Sequence, residues 1–471
     1  MGILGKLIAL AILTAITAIV LQLFIKSDKL DLLQTEPKWF GKNKLKSGEP
    51  LPKDPDTINK FTVNISDEVH SELKQRLRST RFVKPLPDSQ FNYGFNGDYL
   101  KQVVDYWLTK FDWRKQEKEL NKYNHFKTKI SGIDIHFIHV KPSKPAKTIV
   151  PLMLIHGWPG SIWEFYKTIP LLTEPTADGL AFEIICPSIP GYGFSEAPNQ
   201  SGLDSIQTAH IFIKLMKKLN HNNFVVNGGD WGSFVARSMA KLYPQNIRGL
   251  HLNLNRCLIP KGIHFVKFLI AMWFPQLVFE NPDRDYPRIF PLKKRFQLLM
   301  RETGYYHIQA TKPDTISSAL ADSPAGLAAY ILEKSSIAVS LQNVDKWDGG
   351  LTDKISLDEW LTGIMIYWVS DNMAATFRFY KENVESIYGY NWDEEPIDAT
   401  VPVGVANFPN EIGHCPKELV GYKILNLVHF TEQPRGGHFA AFEEPKLFAD
   451  DIKLFAKNVL DIEKQSTKQQ K

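Results

Sequence analysis

Apolar positions recur along this chain with different periods in different stretches. The first stretch, at 7–25, reads LIALAILTAITAIVLQLFI, nineteen residues without a charge, close to the ~20 that span a bilayer as a helix. From there to about residue 56 the chain is polar and rich in Pro and Lys, the composition of a tether. A period of about four follows at 67–81, where Val69, Leu73 and Leu77 mark one helix face and Ser66 is placed to cap it. Residues 126–140 alternate on either side of Ser131-Gly132, a hairpin signal. From 149 onward compact apolar runs at 149–155, 182–186, 224–227 and 247–254 read as strands, and the amphipathic segments at 207–219 and 234–242 read as helices between them. Strands alternating with helices predict βαβ units and a mainly parallel sheet, with any site at the carboxyl ends of the strands. At 256–385 that rhythm stops. Aromatic-rich helical patterns and Pro-containing joints at 275–291 predict an inserted helical cap. Strands at 401–406 and 424–430 and a closing amphipathic helix at 445–460 complete the pattern.

The predicted organisation is therefore a membrane anchor at 1–27, a tether at 28–56, a helical and hairpin lead-in at 57–148, the first half of an α/β core at 149–255, the cap at 256–385, the second half of the core at 386–462 and a polar tail at 463–471. Cleavage as a signal peptide is the competing reading of the N-terminus. An apolar region of nineteen residues is longer than the ~7–15 usual there, and no small-residue cleavage site follows. Lys6 precedes the run, whereas Lys26, Lys29, Lys38, Lys42, Lys44 and Lys46 follow it. The positive-inside bias then leaves the rest of the chain in the cytosol, on a single-pass anchor. The sequons at Asn64 and Asn199 would accordingly stay unglycosylated.

Composition changes this picture little. The net charge of +5 is small for 471 residues, and Lys and Arg are scattered rather than striped, which argues against a nucleic-acid partner. Cys186, Cys257 and Cys415 show no paired spacing, so neither a disulfide framework nor a zinc site is indicated. No metal or organic cofactor is expected.

Candidate chemistry sits where the predicted strands end. Gly228-Gly229-Asp230-Trp231-Gly232-Ser233 has the form of a nucleophile elbow, the sharp strand-to-helix turn of the α/β-hydrolase fold, in which Ser is usual and Asp stands here. A carboxylate at that place can displace a leaving group at a saturated carbon, forming an alkyl ester that water then hydrolyses. The plainer reading is that Asp230 caps the helix after it. The rest of the chain weighs against this. His438, in Arg435-Gly436-Gly437-His438, follows the last strand, where the fold presents its base. Glu411 follows the preceding strand, whereas Asp398 lies before it, at the wrong end of the sheet. Asp230, Glu411, His438 is the order nucleophile, acid, base. His156-Gly157-Trp158-Pro159 follows the first of these strands and can offer the Trp158 N–H. With the N–H of Trp231 it would form a two-donor oxyanion hole.

Across nearly its whole length the chain resembles the microsomal epoxide hydrolases, including the insect juvenile-hormone epoxide hydrolases. The matching stretches are HGWPGS at 156–161, PSIPGYGFS at 187–195, GGDWGS at 228–233, HLNLN at 251–255, GYYHIQATKPDT at 304–315, FRFYKEN at 377–383 and GGHFAAFEEP at 436–445. The resemblance implies hydrolysis of an apolar epoxide, juvenile hormone or a xenobiotic, to a vicinal diol, on the endoplasmic reticulum membrane. It also implies two cap tyrosines, Tyr305 and Tyr380, that give a proton to the epoxide oxygen. Tyr306 is the rival of Tyr305, and neighbouring side chains point apart, so one of the pair is expected at the site. Two alternatives stay open: a haloalkane-type dehalogenase, in which the Trp231 indole would hold the halide, and a catalytically silent carrier of apolar ligands.

Overall fold

The computed structural model describes Thr14, residues 35–46, 48–256, 260–384, 386 and 392, and residues 395–469. Apart from Thr14, the anchor predicted at 1–27 lies outside the described residues, as does Cys257. Among the described residues no helix is long and apolar enough to cross a membrane.

Nine strands form one sheet among the described residues: β1 (Ile58–Phe61), β2 (His125–Ile130), β3 (Ile133–Val140), β4 (Thr148–Ile155), β5 (Leu180–Pro187), β6 (Phe224–Gly228), β7 (Ile247–Leu252), β8 (Val403–Asn407) and β9 (Leu427–Glu432). Their spatial order is β1-β2-β3-β5-β4-β6-β7-β8-β9. From β5 to β9 all neighbours are parallel, whereas β1, β2 and β3 extend one edge antiparallel. The hairpin turns at Ser131 (φ 52°) and Gly132 (φ 86°). Two left-handed residues in a two-residue loop match the twist of the flanking strands. Leu152 to Ile155 on β4 and Ile184 to Cys186 on β5 are fully buried, as near-continuous apolar strands covered on both faces must be.

The principal helices before the cap are α1 (Asp67–Arg78), α2 (Gly97–Thr109), α3 (Trp113–Leu120), α4 (Ser205–Lys218) and α5 (Asp230–Leu242). Ser66 caps α1, accepting from the Val69 N–H, and Leu73 and Leu77 are buried. Val69, in the first turn, is exposed instead. The cap comprises α6 (Ile263–Trp273), α7 (Pro282–Ile289), α8 (Leu292–Glu302), α9 (Gly304–Thr311), α10 (Pro313–Asp322), α11 (Pro324–Val339), α12 (Leu357–Ser370) and α13 (Met373–Val384). It leaves the sheet after β7 and returns before β8. The closing helix α14 (Pro445–Gln469) runs past the predicted end at 460 into the polar tail.

The stretch read as a tether is stitched to the core from residue 35 onward. The Phe40 ring is buried. Its N–H donates to the Ser131 carbonyl at 2.8 Å, and its carbonyl accepts from Asn199 N–H at 2.9 Å. Asp54 accepts from the Ser131 N–H at 2.7 Å. Phe40 and Asp54 thus bond the backbone of Ser131 in the hairpin turn, a role that composition does not announce. β1 lies just beyond, in a region where only helical patterns were read.

Asp451 of α14 ties the far half of the sheet together. Its carboxylate accepts from His251 Nε2 on β7 (2.8 Å), His429 Nε2 on β9 (3.1 Å) and Thr431 Oγ1 (2.6 Å). His251 Nδ1 meets the side-chain amide of Asn227 on β6 at 2.9 Å. The network lies directly behind the strand that carries the elbow.

Candidate active site

β6 ends at Gly228, and α5 begins at Asp230 with Gly229 as its N-cap, so the turn between them is one residue long. Asp230 has φ 42°, a left-handed conformation that costs a non-glycine residue energy and persists where the surroundings enforce it. The elbow is enforced by close backbone contact: a Cβ at Gly232 would lie 2.1 Å from the Ile155 carbonyl oxygen on β4. Only hydrogen fits there. No side-chain bond caps α5. The Asp230 carboxylate points away from its own helix and into the space below the cap.

Its partners come from two other strand ends. The Trp158 N–H, in the loop after β4, donates to Asp230 Oδ1 at 2.7 Å, and the Trp231 N–H favours the charged carboxylate from the start of α5. His438, after β9, places Nε2 3.5 Å from Asp230 Oδ2. On its other side His438 Nδ1 meets Glu411 Oε2 at 3.0 Å and Oε1 at 3.2 Å. Glu411, after β8, is buried and accepts from the Gly413 N–H at 3.1 Å. Asp398 is at the opposite strand end, bonded to Thr400.

Electrostatics follow from that arrangement. Burial lowers the affinity of His438 for a proton, but Glu411 and Asp230 outweigh it, and the imidazole is pushed up to about 10. Burial pushes the Asp230 carboxyl up, against His438 and the Trp158 and Trp231 N–H groups, all of which favour the carboxylate. Two further carboxyls lie nearby. Burial pushes Glu164 up to about 8 against the pull of His438, and Glu443 to about 7 against that of Lys354. Neither was singled out in the sequence.

The tyrosines come from the cap. Tyr305 on α9 stacks on the Trp158 indole, with centroids 5.2 Å apart, and Tyr380 on α13 stands edge-on to the Trp231 indole at 4.8 Å. The two phenol rings are 6.2 Å apart. Each tryptophan thus joins Asp230 through its peptide N–H and a tyrosine through its ring. Burial pushes the Tyr305 and Tyr380 hydroxyls well above the ordinary phenol range, so both are neutral donors at physiological pH. The expectation that one of Tyr305 and Tyr306 reaches the site is not met: both line the cavity. The cavity wraps the start of α9, and two successive side chains about 100° apart on a helix both fall within its span. Tyr306 packs against Tyr380 at 5.3 Å.

That cavity measures about 430 Å³ and takes in Asp230, Tyr305, Tyr380, Glu411 and His438 together with Phe234, Phe268, Leu292 and Leu299. Its walls are mostly apolar, with polar groups converging on Asp230, the usual character of a small-molecule site. Sequence reasoning also missed Arg288 and Arg295 of the cap, which hold the Glu411 loop. Arg288 Nη2 donates to the Phe408 carbonyl (3.0 Å) and the Glu411 carbonyl (3.3 Å), and Arg295 Nη2 to the Ile412 carbonyl (2.5 Å). An arginine in a helical cap carries no local signal for a contact more than a hundred residues away.

Fold and elbow together define the class: an α/β hydrolase with a carboxylate in the place of the usual serine. The family models agree, "Epoxide hydrolase N terminus" matching residues 58–165 and "alpha/beta hydrolase fold" residues 150–307. Epoxide hydrolase 1 of Sus scrofa is 47% identical over 94% of this chain and 97% of its own length. Juvenile hormone epoxide hydrolase 2 of Ctenocephalides felis is 42% identical over 86% of each. The crystal structure of juvenile hormone epoxide hydrolase from Bombyx mori superposes with a TM-score of 0.84 at 38% identity, covering 92% of this chain and all of that one. The chain belongs to the epoxide hydrolase family.

Proposed function

We propose that this enzyme opens apolar epoxides by a two-step route through an ester on Asp230. In the first step Asp230 attacks one epoxide carbon, and Tyr305 and Tyr380 bond the departing oxygen and supply its proton. Charge builds on that oxygen as the ring opens, and a neutral phenol is the acid available at neutral pH. In the second step His438, oriented by Glu411, takes a proton from water. The water attacks the ester carbonyl, and the Trp158 and Trp231 N–H groups stabilise the oxyanion. The bond from the Asp230 carbonyl carbon to the ester oxygen breaks, the departing alkoxide takes the proton left on the new carboxyl, the imidazolium proton returns to the tyrosinate, and a vicinal diol leaves. Alkylation neutralises Asp230 and so removes one of the anions that hold the proton on His438, with Glu411 still in place, which shifts the imidazole towards the neutral form that the second step needs.

The observation that carries this reading is the Trp158 N–H on Asp230 Oδ1 at 2.7 Å, with His438 Nε2 3.5 Å from the other carboxylate oxygen. Juvenile hormone and xenobiotic epoxides both fit an apolar cavity of this kind. The uncharged run at 7–25, with its following lysines, supports an anchor in the endoplasmic reticulum membrane and a cytosolic catalytic domain. The cap exposes Trp273, Leu277, Phe296 and Met300, which suits substrate drawn from lipid. Diol formation from a panel of apolar epoxides, measured against Asp230→Ala, tests the reaction. Halide release from chloroalkanes without diol formation would point to the dehalogenase instead, and ligand binding without turnover to the carrier.

A further inference from the structure

Three side chains from separate elements converge where β3, β5 and the loop after α4 meet. His139 on β3 is registered with Ile185 on β5, so Glu183, two residues before Ile185, lies diagonally across on the same face. His139 Nε2 donates to Glu183 Oε1 at 2.7 Å. His221, between α4 and β6, brings its Nε2 to 3.5 Å from the same oxygen. The end of α4 fixes the His221 backbone. There the Asn220 N–H bonds the Lys217 carbonyl and the His221 N–H the Met216 carbonyl, with Asn220 left-handed at φ 63°. The three donor atoms all lie within 4.8 Å of one another. His221 precedes β6 and Asp230 follows it, so the cluster stands at the opposite end of that strand from Asp230.

Hydrogen bonds within the cluster do not complete it. His221 Nε2 is buried and, among the described residues, has no hydrogen-bond partner. A desolvated ring nitrogen left unbonded is a cost. The buried trio of His251, His429 and Asp451 differs: both Nε2 atoms bond the carboxylate, at 2.8 Å and 3.1 Å, and Thr431 takes up its other oxygen. Two imidazole nitrogens and one carboxylate oxygen are the donor set of a three-ligand zinc site, which a water completes. With bonds of about 2.0–2.2 Å, donors around a tetrahedral ion stand roughly 3.3–3.6 Å apart. The His221–Glu183 separation already has that value, and His139 and Glu183 need open by only about 0.6 Å from 2.7 Å. The three side chains keep 15–17% exposure, so water can reach the fourth position. We propose that His139, Glu183 and His221 form a Zn²⁺ site. The ion clips the antiparallel edge, the parallel core and the connection from α4 to β6 together, and so acts on stability.

The full-length protein, stripped with EDTA and dialysed, is titrated with Co²⁺, whose four-coordinate complexes absorb visible light, and then with Zn²⁺. The absorption should saturate at one Co²⁺ per chain and be displaced by Zn²⁺. Zn²⁺ should also raise the melting temperature above that in EDTA, because the folded chain alone presents the three ligands together. His221→Ala and Glu183→Gln should each weaken Co²⁺ binding by about 100-fold or more, beyond the roughly 10–100-fold that the outer partners of a metal ligand carry, and abolish the thermal shift. Glu183→Gln keeps an acceptor for His139, so it remains informative should His221→Ala fold poorly. Binding that does not saturate at one equivalent, binding that survives undiminished in either folded variant, or a melting temperature equal in Zn²⁺ and EDTA overturns the proposal.

Discussion

Gly157 stands against Asp230 so closely that a Cβ there would lie 2.1 Å from Oδ1. The peptide that presents the Trp158 N–H can approach the carboxylate at 2.7 Å because nothing projects from the residue before it. Gly157→Ala must therefore displace either the loop or Asp230. The expected result is a loss of diol formation of about 100-fold or more, the cost of an oxyanion donor. The measurement is kcat beside a melting curve, and an active alanine variant would show that the donor geometry is unimportant.

Removing the base should separate the two steps. His438→Gln keeps a polar side chain beside Glu411 but cannot take a proton from water. The ester should form and persist, visible by intact mass as protein plus substrate, while steady-state turnover falls about 10²–10⁴-fold. Absence of the adduct would refute the two-step scheme.

Tyr305→Phe and Tyr380→Phe should each slow ester formation, by about ten-fold or more, and the double variant should exceed either single one. Single-turnover rates report that step directly. Tyr306 shares the cavity, so Tyr306→Phe is the informative comparison: a loss as large as that of Tyr305→Phe would reassign the donor.

The proton on His438 has a consequence for pH. With the folded-state value raised from 6.5 to about 10, its stabilising contribution is fully present below about 6.5 and is lost as pH rises through about 10. The melting temperature of the wild type should therefore decline across that window more steeply than that of His438→Gln. Ester hydrolysis needs the neutral imidazole and proceeds from a form in which Asp230 is uncharged. Its rate should rise with pH through a midpoint below about 10, read by decay of the trapped ester.

Asp451 lies outside the cavity, but its carboxylate receives the Nε2 of both His251 and His429. Asp451→Ala leaves the two buried histidine donors and the part-buried Thr431 hydroxyl without that acceptor, at a cost of about 3 kcal/mol or more. Chemical denaturation should show this. A variant as stable as wild type would mean that water replaces the carboxylate.

Much of the site was legible in the sequence because its pieces are local. Asp230, His438, Glu411 and Trp158 each follow a strand in a short loop of distinctive composition, and strand order places such loops side by side. The tyrosines were read from resemblance, since a phenol in a helix carries no mark of its purpose. What escaped depends on partners far away in the chain. Phe40 and Asp54 look like tether until the hairpin turn is placed beside them. Arg288 and Arg295 look like surface charge until the Glu411 loop is. Glu164 and Glu443 are ordinary helix-start acids whose proton affinity is set by burial. The edge strand β1 has too few residues for its alternation to stand out.

The cap separates β7 from β8, so the strands that carry Glu411 and His438 are the last of the sheet to be synthesised. A ribosome that has passed β6 and the first residue of α5 has made Asp230, the proposed nucleophile, yet His438, the proposed base that frees it from its ester, is still to come. Competence to turn over is thus acquired only as the C-terminal part of the chain emerges, and premature release yields a polypeptide that lacks the means to regenerate itself.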